Sequence, residues 1–258
     1  MTVPVPVPVP VAPPPARPPI VAIVAYTLRT CLPGRRWVGI LLPCAAALLF
    51  GLLVRALDGP AEEDFARVAS YALFALVLPI TCVVVGDAVL GAEIRSGSFA
   101  FTWLSPVPTW QIAVGRWIGG TTVAAGCLAT AFALSAVVAG SAGSAGGVAL
   151  AAAFGAMAYV AVFIAIGCIT RRAAVWSLAA VFLVERLLGA ALSGIAQLSP
   201  SWEARAAFVS FVDAPSDLVR HGIPQGGAAL VRLALISVIA LVLASVRLNH
   251  LKLSGSTD

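Results

Sequence analysis

The chain has 258 residues and a formal net charge of +5, with 60% hydrophobic residues against 10% charged. Ordinary soluble domains carry roughly a quarter charged residues, so this composition excludes that class and indicates a membrane protein. Its single lysine, Lys252, rules out a phosphate-binding loop of the form G-x-x-x-x-G-K-[ST].

Residues 1–19, containing "VPVPVPVPVAPPPARPP", lack the backbone donors for a helix and favour extended polyproline conformations. They are expected to form a flexible cytosolic tail. No signal peptide is expected, because the apolar core at 20–28 is short and no small-residue cleavage site follows it. The next stretch, "PIVAIVAYTLRTCLPGRR", predicts a short interfacial helix ending near Pro33 and Gly34.

A bilayer-spanning helix needs about 20 mainly apolar residues. Six runs meet that length, at 37–57, 68–90, 112–140, 148–169, 173–198 and 228–247. They predict an all-α, polytopic fold with one six-span domain over 20–250 and a short cytoplasmic tail at 251–258. Pro43 and Pro79 fall within spans and are expected to kink them. Gly115 and Gly119 form a G-x-x-x-G pattern on the third span, which permits close helix contact and suggests a seam between subunits.

Positive charge sets the orientation, since Lys and Arg are retained on the cytoplasmic side near span ends. With both termini inside, that side holds Arg17, Arg29, Arg35, Arg36, Arg95, Arg116, Arg171, Arg172, Arg247 and Lys252. The opposite side holds Arg55, Arg67, Arg205, Arg220 and Arg232, while Arg186 lies within a span. The net charge therefore reflects topology, and nothing in it points to nucleic acid.

One stretch interrupts the apolar pattern: "GAEIRSGSFAFTWLSPVPTWQIAVGRW", residues 91–117. In this orientation it is the cytoplasmic connection between the second and third spans. Glu93 is expected near a helix N-terminus, where the helix dipole favours an acid. Gly97 permits close backbone approach, and Phe99, Phe101 and Trp103 offer a compact apolar body. Pro106 and Pro108 stop the helix and turn the chain back. Trp110, Arg116 and Trp117 are expected at headgroup depth. A short stiff element of this kind suits a protein that must receive work mechanically from a partner.

The remaining features point away from chemistry. His221 and His250 lie outside the spans, which removes the usual general base and excludes H-E-x-x-H zinc chemistry. The cysteines (Cys31, Cys44, Cys82, Cys127 and Cys168) lack metal-ligand spacing and are expected to be small core residues without an extracellular disulfide. No metal site and no cofactor are expected. Glu185 and Arg186 fall near the middle of the fifth span, where a charge must face protein or water. Each is expected to find its partner on another helix or a second subunit, in a substrate pathway or a structural polar contact; otherwise the helix breaks near "ERLLG". Residues 199–227 read by composition as an amphipathic interfacial segment on the outer side.

The 91–117 stretch resembles the corresponding loop of the membrane subunits of ABC exporters of the drug, antibiotic and polysaccharide type. Their second span runs into a pattern like E-R-E-x-G-T, then apolar residues, an S-P turn and a basic residue opening the third span. Glu93, Gly97, Ser98, Leu104-Ser105-Pro106 and Arg116 match it, whereas Ile94 and Arg95 depart from it and leave the loop's ion-pair partner open. The resemblance implies a multi-pass permease in a bacterial plasma membrane, in which Glu93, Arg95, Gly97, Ser98, Phe99, Phe101, Pro106 and Arg116 couple to a separate ABC-type ATPase. It also implies a second permease subunit, as homodimer or heterodimer, and outward movement of a hydrophobic or amphipathic substrate. Permeases of this type fold the 199–227 region back as short helices over the outer exit. The alternatives are an ion-gradient-driven secondary transporter and a non-transporting membrane anchor or assembly protein.

Overall fold

The computed structural model describes residues 18–31, 36–57, 59–99, 106–170, 172–188, 193–212, 215, 218 and 224–250. All regular structure among them is helical. In chain order these are α1 (Pro19–Cys31), α2 (Arg36–Arg55), α3 (from Ala61 to Ser96), α4 (Thr109–Ala139), α5 (Ala145–Ile169), α6 (Ala173–Ala179, continuing as Ala180–Leu188), α7 (Ser193–Ala196), α8 (Pro200–Val209) and α9 (Gly227–Asn249). Five helices are long and apolar enough to cross a membrane: α2, α3, α4, α5 with the short turn before it, and α9. The tails at 1–17 and 251–258 lie outside the described residues.

α5 forms the axis of the bundle, packing against α3, α4, α8 and α9. Its sequence explains why, since Ala151, Ala152, Gly155, Ala156 and Ala158 present little bulk and allow neighbouring backbones to approach. A Cβ on Gly155 would lie 2.9 Å from Leu78 and 3.0 Å from Ala204, so this one position admits both α3 and α8. Around it, Phe74 meets Phe132 edge-on at 5.6 Å and Phe208 at 5.5 Å, joining α3, α4 and α8 in one aromatic cluster. α2 and α9 lie at the periphery and expose leucine, isoleucine and valine, Leu42 and Ile239 among them. Such continuous apolar surface is unfavourable in water and matches hydrocarbon, so the chain is membrane-embedded.

α3 is longer than the predicted run at 68–90. It begins with Glu62, Glu63 and Asp64 in its first turn, where acids complement the helix dipole, and Arg67 pairs weakly with Glu63 and Asp64 across the exposed surface. Two stretches, Ala69–Val77 and Asp87–Gly91, adopt the wider π spacing. The first ends just before Pro79, which has no N–H to donate and whose ring crowds the preceding turn. A widened turn at this point takes up that strain inside the helix.

The structure bears on three sequence expectations. In the run at 173–198, α6 extends to Leu188 and α7 starts at Ser193, with residues 189–192 between them outside the described ones. Glu185 in this run is bound sideways to other elements. The segment after Ser199 is not a surface amphipathic helix: α8 packs on α5 and α9, and eight of its residues are buried, Glu203 and Arg205 included. Finally, the Gly115 and Gly119 groove is filled from within the chain. An added Cβ would meet Ile23 at 2.8 Å and Thr27 at 2.7 Å, so α1 occupies the seam expected to receive a second subunit.

Candidate functional site

The 91–117 stretch begins as the last turn of α3 and ends two turns into α4. Glu93 therefore sits at a helix C-terminus, which corrects the expected N-terminal placement: α3 does not stop at Leu90 but continues through the π-spaced stretch to Ser96. The dipole there disfavours a carboxylate, and a specific partner offsets it. Arg116 Nη1 donates to Glu93 Oε1 at 2.9 Å and Nη2 to Oε2 at 2.7 Å, a two-pronged ion pair. Nη1 also donates to the Val89 carbonyl at 3.2 Å, and the Tyr26 ring of α1 covers the guanidinium at 4.7 Å.

Arg116 is 1% exposed and Glu93 8%. The arginine is thus no headgroup anchor, which corrects the sequence reading; it is a buried clasp joining α3 to α4, with α1 packed over it. Trp117 is also partly enclosed, donating its indole N–H to the Met157 carbonyl at 3.0 Å, whereas Trp110 stays exposed. Beyond the clasp, Gly97 ends α3 at φ +74, a left-handed conformation that side chains resist, and a Cβ there would meet open space. Gly97, Ser98 and Pro106 are exposed, while Phe99 is 3% exposed. Phe99 turns into the core and is unavailable to a partner, because its ring gains more by joining the apolar cluster. Phe101 and the side chains of Arg95 and Arg186 lie outside the described residues. At the far end of the connection, Thr109 Oγ1 donates to Asn249 Oδ1 at 2.7 Å, tying the start of α4 to the last residue of α9.

The second polar centre gathers around Glu185. Its carboxylate Oε2 accepts hydrogen bonds from Tyr159 Oη of α5 and from Ser201 Oγ of α8, the latter at 2.8 Å. Trp202 Nε1 donates to the Glu185 carbonyl at 3.3 Å. Glu185 thereby holds α6 against α5 and α8. Nearby, Glu203 is fully buried, with Arg232 of α9 at 3.5 Å, and Arg232 also reaches Gln197 Oε1 at 3.3 Å. α5 contributes no charged residue to this region.

Burial pushes the Glu203 carboxyl from its ordinary 4.5 up to about 7, against the opposing pull of Arg232. A carboxyl that binds its proton more tightly when folded stabilises the fold most at low pH. That contribution is complete below about 4.5 and is lost as pH rises through about 7. The melting temperature of the purified chain in detergent is accordingly expected to fall across that window, and Glu203→Gln to flatten the profile there.

Sequence reasoning missed Tyr26, Thr109, Asn249 and the Glu203–Arg232 pair. Thr109 falls within the 91–117 stretch but at no position of its pattern, and each of these residues acquires its role through contacts between residues at least 29 positions apart. Among the described residues no cluster of three or more His, Cys, Asp or Glu could hold a metal ion. No disulfide joins Cys31, Cys44, Cys82, Cys127 and Cys168. The arrangement joins α3 to α4 through Glu93 and Arg116, and α6 to α5 and α8 through Glu185. No protein-family model matches the chain, and no curated protein matches it.

Proposed function

We propose that this chain is the permease subunit of an ATP-driven exporter of the ABC type. Two such subunits, each crossing the plasma membrane six times with both termini inside, would work with two copies of a separate ATPase. ATP closes the ATPase pair, the connection between α3 and α4 carries that motion into the bundle, and a hydrophobic or amphipathic substrate moves outward by alternating access. The observation that carries this reading is the buried Glu93–Arg116 clasp beneath an exposed Gly97–Ser98 turn. A partner pressing on that turn acts on α3 and α4 together, and through Thr109 and Asn249 on α9. Chemistry that needs fuel is left to the partner, in line with the missing phosphate-binding lysine.

The test is co-expression with an ATPase encoded beside it, measuring co-purification and ATP turnover. Glu93→Gln and Gly97→Ala are expected to leave the bundle inserted. The glycine change strains the backbone by about 1–2 kcal/mol without a clash. Both should abolish the stimulation of turnover by the permease. Full stimulation in both variants would defeat the proposal. Transport that stops with a protonophore while ATP is plentiful would favour the gradient-driven alternative.

A further inference from the structure

Between α3 and α8 lies a cavity of about 10 Å³, lined by Ser70, Phe74, Ala75, Ser201, Trp202 and Arg205. That is room for one small ligand and no more. Two of its lining residues carry a polar atom that is buried without a hydrogen-bond partner, Ser70 Oγ and Arg205 Nε. Ser70 is 2% exposed and Arg205 9%.

The rest of Arg205 is well accounted for. Nη2 donates to the Leu218 carbonyl at 3.3 Å, and the guanidinium lies 4.6 Å from the Tyr71 ring and 5.3 Å from the Trp202 ring. Aromatic faces and a carbonyl soften a buried positive charge, but among the described residues no carboxylate pairs with it. Nε–H can only donate, and the serine hydroxyl can also donate. A group that suits this pair therefore accepts from both and has the bulk of a single heavy atom. Carboxylate, phosphate and sulfate groups are too large for the space.

We infer that this cavity is a binding site for one small hydrogen-bond acceptor, a chloride ion or a water molecule, that bridges Arg205 Nε and Ser70 Oγ. The bridge fastens α8 to the π-spaced stretch of α3 that begins at Ala69. It also explains how a buried arginine and a buried serine coexist with bare donors, an arrangement that is otherwise unfavourable. The inference is independent of the transport reading and stands or falls by itself.

Crystals of the full chain grown with bromide in place of chloride provide the test. An anomalous peak between Ser70 and Arg205 identifies a halide, and an ordinary density peak without anomalous signal identifies water; either supports the site. Empty density there, at a resolution where other buried waters are visible, overturns it. Thermal unfolding in sodium chloride against sodium gluconate at equal ionic strength separates the two occupants in solution. For a halide, the wild-type melting temperature rises with chloride, and Ser70→Ala weakens the apparent affinity at least about tenfold. For water, the melting temperature is indifferent to the anion.

Discussion

Arg116→Leu is expected to destabilise the folded chain by about 3–5 kcal/mol, the usual penalty for removing one partner of a buried ion pair. The leucine leaves the Glu93 carboxylate enclosed at a helix C-terminus with its main compensating charge gone. It also removes the cation beneath Tyr26 and the bond to the Val89 carbonyl. Thermal unfolding in detergent and the monodisperse fraction on gel filtration measure the effect. The double variant Glu93→Leu with Arg116→Leu is expected to recover most of the loss, because two apolar side chains replace two charges and no ion is stranded. If the clasp has only a structural role, the recovered double variant stimulates the co-expressed ATPase of the proposed pairing as wild type does. A coupling role predicts a folded chain that fails to stimulate. A single variant as stable as wild type would show that the pair is not buried as described.

Gly119→Leu is expected to cost about 1–3 kcal/mol, as overpacking of a close contact does, and to have the largest effect on the position of α1. A Cβ at Gly119 already lies 2.7 Å from Thr27 Cβ and 3.3 Å from the Val24 carbonyl. The carbonyl is backbone and cannot rotate away, so α1 must lift from α4 along its length. Tyr26 then leaves the guanidinium of Arg116. Hydrogen exchange across 19–31 should accelerate in the variant, while α4 and α5 keep their protection. Undiminished protection of α1 would contradict the packing.

Much of this architecture could be read from residue order, because apolar length is a strong signal in a chain so poor in charge. The ends of α2, α4, α5 and α9 fall within a few residues of the expected runs. Within the fifth run, hydropathy counts Glu185 and Arg186 as two exceptions in an apolar stretch and cannot register that hydroxyls on α5 and α8 bind the glutamate from the side. The G-x-x-x-G groove was legible as a place of close approach, but a pattern of small residues does not name its occupant. α1 was available in the same chain, with β-branched Ile23 and Thr27 four residues apart to fill it. Glu93, Gly97 and Arg116 were singled out by their order alone. That the first and last of them pair with each other required the fold, since widened turns in α3 alter which way each later side chain faces.

Those widened turns have a mechanical meaning. A rod wound partly at looser pitch holds slack: tightening Ala69–Val77 or Asp87–Gly91 to ordinary winding would lengthen α3 slightly and rotate its far tip about the axis, with no hinge and no break in the backbone ladder. Because the tip carries Glu93, torsion stored along the middle of the helix would emerge as a twist at the gripping end.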